Sequence, residues 1–330
     1  MCYVFYEIMS STTLKDLPNE IITKVLSYLE IRDRIYFGHL SKRTRAVIRN
    51  KTLWRKVSIY SEHLKSEFLE FMLRNGCKFL KLSLVWVKGS LQLRKATRLQ
   101  ELYLENSEIT NQALEELLGS CHSLKELTLR DINLSNVNNK NLRKFVLQNR
   151  NTLQILDLKA STELDFESIQ FIVNNCTELT EINFGRNCNG KYDGKLSRES
   201  INYLANNLTE KVVRLNLGNQ KFVRDEHVVK LISRCKKFRE LNLDGTSITE
   251  NSLTCIIGNL KHSLVILSLC NTKFRFDDLL VHNAMPKLQQ LFTNRHRHNS
   301  RPLQPRLVIQ PYILMPRTTP RTPRNSPRHP

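Results

Sequence analysis

The sequence predicts an α/β protein in three parts: a short helical unit, a long solenoid of strand-and-helix repeats, and a basic tail. Three observations carry this expectation. An apolar triplet with the spacing Leu-x-x-Leu-x-Leu recurs about every 27 residues. Each triplet leads through a turn into a segment with helical apolar spacing. The 330-residue chain ends in a stretch, 295–330, that holds eight of its ten prolines and eight arginines, with no lysine and no acid.

Residues 1–13 read as an extension, mildly apolar, carrying Glu7 and lacking the basic start of a signal peptide. A helical pattern then begins. Pro18 suits a first helical position, where a missing N–H costs nothing, and Glu20 suits the first turn through the helix dipole. Ile21, Ile22, Val25, Leu26 and Leu29 fall at i, i+1, i+4, i+5 and i+8, one apolar stripe. A second helix is expected over 32–37 and a third from Ser41, a capping residue, to Arg49. Leu53-Trp54 closes the unit, which extends to residue 59. Helices this short bury too little to stand alone. Their apolar residues, Leu40, Ile48, Leu53 and Trp54 among them, need cover from the first repeat, as a cap of the solenoid, or from another protein.

Taken together, Leu17-Pro18-x-Glu20-Ile21, Val25-Leu26-x-x-Leu29, Arg32-Asp33-Arg34-Ile35, Leu40-Ser41-Lys42-Arg43 and Leu53-Trp54 resemble an F-box in order and spacing, over residues 14–59. The resemblance implies docking on a Skp-type adaptor and, through it, on the cullin and RING core of a ubiquitin ligase. Carried over by position, it implies adaptor contacts at Leu17, Pro18, Ile21, Ile22, Val25, Leu26 and Leu29, with Ile35, Leu53 and Trp54 contributing. Thr44 departs from the family pattern, which often has an aromatic residue after the Ser-Lys-Arg step. Eleven Lys/Arg against four acids between Lys15 and Lys56 suit an acidic partner.

The repeats occupy residues 60–294, about eight to nine units. Their central apolar positions are 102, 127, 156, 182, 215, 241, 267 and 291, and a weaker unit at Leu80, Leu82 and Leu84 precedes them. Helical segments follow at Leu114/Leu117/Leu118, Ile169/Ile172/Val173, Ile201/Leu204, Val228/Leu231/Ile232 and Leu253/Ile256/Ile257, with Thr110, Ser197 and Thr249 placed as N-caps. One strand and one helix per unit of this length is a leucine-rich repeat solenoid: a horseshoe with parallel strands on its concave face and helices outside. Residues 187–194 read as a turn-rich surface insertion. Cys121, Cys176 and Cys235 each stand three residues before a triplet, with Cys77 close to that phase. This resembles the cysteine-containing class of these repeats, and the cysteines read as buried thiols rather than metal ligands.

Side chains alternate along a strand, so the residues between the apolar positions face outward. Candidate target-binding residues on that face are Glu101, Tyr103, Glu126, Asp157, Glu181, Asn183, Asn216, Glu240 and Asn242. Over seven strands the face holds seven acids and three bases, in a chain of formal net charge +20. It is therefore expected to suit a basic partner, although glutamate before the central leucine is also an ordinary feature of such repeats.

Other function classes find little support. No G-x-S-x-G, H-E-x-x-H or glycine-rich phosphate loop occurs, so no catalytic residues, metal ligands or cofactor are expected. No stretch approaches the roughly 18 apolar residues of a membrane span. The one concentrated basic tract is the tail, which argues against a nucleic-acid-binding face. That tail is expected to be disordered. Thr319, Thr322 and Ser326, each before proline, are candidate phosphorylation sites, and the tail either stays solvated or folds back from about Pro302 onto the acidic face. The expected function is target recognition for ubiquitination and proteasomal degradation, in cytoplasm or nucleus. The alternative is a scaffold whose helices only cap the solenoid.

Overall fold

The computed structural model describes residues 16–93, 96–133, 139–161, 164–186, 194–274 and 276–293. The N-terminal extension, most of the insertion at 187–194 and the tail with Thr319, Thr322 and Ser326 lie outside the described residues. The described residues open with three helices, α1 (Asn19–Tyr28), α2 (Ile31–His39) and α3 (Lys42–Ile48), and a 3-10 turn at Lys51–Trp54. Pro18 is the N-cap of α1, one place earlier than expected, and Ile22 N–H donates to its carbonyl at 3.1 Å. Ser41 caps α3 by accepting from Thr44 N, while the Thr44 hydroxyl accepts from Ser41 N. This reciprocal box accounts for Thr44: the position is buried and used for capping.

Arginine ties these short helices together. Arg34 donates to the carbonyls of Ser27 and Leu29 at 3.0 Å each and of Leu53 at 2.7 Å, closing the end of α1 onto the 3-10 turn. Arg43 donates to Asn19 Oδ1 at 3.0 Å and to the Leu17 carbonyl, which fixes the start of α1. Trp54 is fully buried, and its indole meets Phe68 and Phe71 edge-on at 6.0 and 5.1 Å. Both rings belong to α4 (Ser66–Arg74), the first helix of the solenoid. The helical unit thus caps the repeats, burying Ile22, Leu26, Val47 and Leu53 in the same core.

The solenoid begins four residues before residue 60. Its first strand is β1 (Lys56–Tyr60), followed by β2 (His63–Lys65), β3 (Phe79–Ser83), β4 (Trp86–Lys88), β5 (Glu101–Glu105), β6 (Glu108–Ile109) and β7 (Glu126–Arg130). Six three-residue strands follow: β8 (Ile155–Asp157), β9 (Glu181–Asn183), β10 (Arg214–Asn216), β11 (Glu240–Asn242), β12 (Ile266–Ser268) and β13 (Gln290–Phe292). Ten strands form one parallel sheet in the order β1-β3-β5-β7-β8-β9-β10-β11-β12-β13, and β2-β4-β6 form a smaller one. The register aligns Leu80, Leu102, Leu127, Leu156, Ile182, Leu215, Leu241, Leu267 and Leu291. Each is buried, which by area contributes about 1.5–3 kcal/mol.

Helices α5 (Asn111–Gly119), α6 (Asn139–Asn149), α7 (Phe166–Asn175), α8 (Arg198–Asn207), α9 (Asp225–Arg234), α10 (Glu250–Leu260) and α11 (Asp278–Ala284) alternate with the strands. Thr110, Ser197 and Thr249 are N-caps whose hydroxyls accept from Ala113, Ser200 and Asn251 N–H. The apolar face of each helix joins the strand leucines in a single core. Cys77, Cys121, Cys176 and Cys235 are buried there as free thiols, and burial raises the pKa of Cys77 and Cys176 to about 12.

A left-handed residue follows the strand in most units: Ser61, Leu84, Asn106, Asp131, Ala160, Asn219, Gly245 and Asn271. Leu84 is therefore a turn residue, and Leu80 and Leu82 are the central and third apolar positions of their unit, aligned with Leu102 and Leu104. Among the described residues no helix is long and apolar enough to cross a membrane.

Candidate functional site

Two surfaces remain once the core is assigned. The first is the outer side of the helical unit. Its inner side holds Ile22, Leu26, Leu53 and Trp54, which are at most 2 % exposed, so these four expected adaptor contacts pack in the core. Leu29 and Ile35 are half-buried against that core. The stripe on α1 therefore splits by helical geometry: Ile22 and Leu26 turn inward, while Ile21 and Val25 are 45 % and 50 % exposed. Leu17 is half-buried and Pro18 is exposed at the start of the same helix. Tyr28 at its end, Tyr36 on α2 and Leu40 beyond it are also exposed. The two tyrosines escaped the sequence pattern because a tyrosine between apolar positions reads equally well as core.

The second surface is the outward face of the ten-stranded sheet. β1 and β3 add Lys56 and Lys81, so seven acids face five bases there, a weaker excess than over the seven leucine-triplet strands alone. Most of these charges are neutralised in place. Lys81 and Arg130 pair with Glu105 at 3.0 and 3.4 Å, and Arg130 Nε donates to Asp157 at 2.9 Å. Arg214 bridges Glu181 and Glu240, the latter at 2.8 Å.

The polar residues are committed too. Asp157, Asn183, Asn216 and Asn242 each accept, through Oδ1, the backbone N–H two residues further on at 2.8–3.0 Å. Asp157 is buried, and also accepts from Asn183 Nδ2 at 2.9 Å. These four expected contacts serve first as a ladder that shapes the turn after each strand.

One part of the face stays open. Glu101 and Glu126 stand side by side on neighbouring strands, and among the described residues neither makes an ion pair. Tyr103 lies next to them; its hydroxyl donates to Glu101 at 3.2 Å and also reaches Glu126. A phenol has one proton to give to two carboxylates. Burial, and then the charges of Glu101, Glu181 and Asp157, push the Glu126 carboxyl above the ordinary range against the Tyr103 hydrogen bond. Glu181, by contrast, carries the Arg214 guanidinium, which counters the upward push of its burial.

The F-box domain family matches residues 14–56. Among solved structures, the chain is similar to a chain of the Rad7–Elc1 complex of yeast, at 16 % identity and a TM-score of 0.43, over 86 % of this chain and 83 % of that one. It is also similar to a chain of the TLR13–ssRNA13 complex, at 17 % identity and a TM-score of 0.42, over 84 % of this chain but only 37 % of that one. A chain of the octameric complex of Latrophilin 3, Unc5D and FLRT2 is 17 % identical, with a TM-score of 0.35, over 71 % of this chain and 74 % of that one.

Proposed function

We propose that the chain, whose residues 14–56 match the F-box domain family and lead directly into the parallel sheet of repeats, recognises targets for a Skp–cullin–F-box ubiquitin ligase. In this reading the protein is not a catalyst. The outer side of α1 and α2 docks the Skp-type adaptor, the sheet face holds the target, and proximity to the ubiquitin-loading enzyme raises the effective concentration of the target lysine. Ubiquitinated targets then pass to the proteasome, in cytoplasm or nucleus.

One observation supports this reading above others. Ile21, Val25, Tyr28, Tyr36 and Leu40 form exposed apolar surface on a unit whose inner side is already buried. A pure cap needs only the inner side; its outer side would be polar, as terminal solenoid units generally are. The exposed apolar set is what a partner would cover.

Adaptor capture tests the proposal. Ile21→Asp combined with Val25→Asp removes apolar surface without touching the core, so capture of the purified adaptor should fall at least tenfold while the thermal melt stays put. Undiminished capture by this variant, or no capture by the parent chain, would favour the scaffold alternative.

A further inference from the structure

Two groups of glutamates on the sheet face differ in their cation: Glu181 and Glu240 have a guanidinium on the strand between them, while Glu101 and Glu126 are direct neighbours with none. Glu181 and Glu240 flank Arg214, which bonds both. Glu101 and Glu126 occupy the same row of the sheet and are held together by nothing stronger than a shared phenol. We propose that this open pair is a recognition site for an arginine side chain of the target protein, which supplies the cation that Arg214 supplies elsewhere. The proposal rests on the target-receptor reading above and specifies the chemistry of the target.

Three further features fit that ligand. Thr128 sits in the row beside Tyr103 and on the same face as Glu126; it is 1 % exposed, and its Oγ1 has no hydrogen-bond partner among the described residues. A planar guanidinium presents five N–H donors, enough to reach two carboxylates and still serve this oxygen, whereas an ammonium has three. Phe79 and Tyr103 lie next to the carboxylates with ring centroids 5.1 Å apart, and aromatic faces attract a guanidinium, which is less strongly hydrated than an ammonium. Each ring already has a lysine ammonium above it, Lys56 at 4.7 Å from Phe79 and Lys81 at 6.0 Å from Tyr103, so cations settle on this part of the sheet. Phosphate-bearing partners are disfavoured by the same two carboxylates.

The test uses the full chain and short dye-labelled peptides of random small residues around a fixed central arginine, lysine or citrulline. Citrulline keeps the shape of arginine and loses its charge. Fluorescence anisotropy at low salt should show arginine peptides bound about tenfold more tightly than citrulline peptides, a step of one charge-assisted pair, with lysine between. Glu101→Gln with Glu126→Gln should erase the difference, and Thr128→Val, which keeps the shape of the side chain, should reduce it about threefold. Equal binding of arginine and citrulline peptides overturns the site, as does a double variant that still discriminates. Should the double variant melt early, Thr128→Val and Glu101→Gln alone carry the decision. Adaptor capture is measured on the same samples. Arginine selectivity without capture would leave the site standing and sink the ligase reading; capture without selectivity would do the reverse.

Discussion

Glu181 with Glu240 and Glu101 with Glu126 occupy one row of one sheet, yet the first pair is closed and the second open. The closed pair lies in the C-terminal half, where strands are three residues long and side chains satisfy their own backbone. There Asn183, Asn216 and Asn242 are tied to the turns, and Arg214 pairs with two carboxylates at once. The open pair lies among the five-residue strands, beside aromatic rings and a threonine hydroxyl with no partner among the described residues. Repeats share a frame and differ in what they leave unfinished. In a solenoid each unit rests mainly on its neighbours, so a local electrostatic cost can be carried without dissolving the rest.

Both pairs share one register only if the central leucines stack in line. The severest test is therefore Leu241→Asp, at a buried position in line with Leu102 and Leu127. An unpaired carboxylate there should cost at least about 4 kcal/mol and melt adjoining repeats. A circular dichroism melt matching the parent would break the register and the contrast between the pairs together. Next in size is Arg214→Met. It leaves Glu181 and Glu240, on either side of the central strand of the three, without their shared cation. Because Arg214 and Glu240 are about one-third exposed, the loss should be about 1–2 kcal/mol rather than that of a fully buried pair. Urea unfolding measures it, and an unchanged midpoint would mean that Arg214 closes nothing.

Much of the frame is legible in the sequence because periodicity is a global signal. It places every central residue from Leu102 to Leu291, and the caps Thr110, Ser197 and Thr249 with them. What escapes is local. Val57 and Ile59 form the first strand, but without a leucine triplet they read as the tail of the helical unit. Leu84 passes for a core leucine because spacing reports position and not the sign of φ. Within the candidate sites the outward residues can be identified from alternation, whereas their commitments cannot. Nothing in a string of letters shows that Asp157 is buried under an ion pair with Arg130, or that Ile22 and Ile21 part company at the helix surface. Those facts depend on which neighbours arrive from other repeats.

A smaller effect sharpens the open pair itself. Glu126 has its pKa raised in the folded chain by burial and by the carboxylates of Glu101, Glu181 and Asp157, with the Tyr103 hydrogen bond opposing. Folding therefore disfavours its charged form. Its contribution is harmless at low pH, where both states are protonated, and becomes destabilising as pH rises from the ordinary glutamate range through the raised value. Glu126→Gln should accordingly stabilise the protein by about 0.5–1 kcal/mol near neutrality and by nothing at low pH, the size of a like-charge cross-strand pair. Melts at two pH values decide. A variant less stable at neutral pH would show that Glu126 already has its counter-charge.

The smallest expected change lies at the end of the same strands. Asn106, Asn219 and Asn271 hold the left-handed turn position in their repeats, with φ of 47°, 63° and 57°. Asparagine tolerates that region because its short side chain bonds locally. Leu84 holds the equivalent place with φ of 55° and remains 37 % exposed, so it incurs the steric cost of the region and recovers only part of the burial a leucine can give. Leu84→Asn should therefore stabilise the chain by about 0.5 kcal/mol, the steric relief outweighing the smaller apolar burial. A thermal melt reads this, provided that binding of the arginine peptides is measured alongside. Added stability with weaker binding would extend the recognition surface from Glu101 and Glu126 to the rim at Leu84, and so widen the contrast between the two halves. Added stability with unchanged binding would confine it to the carboxylates. A destabilised variant would mean that Leu84 packs more tightly than its exposure indicates, and that this turn owes nothing to docking of a target.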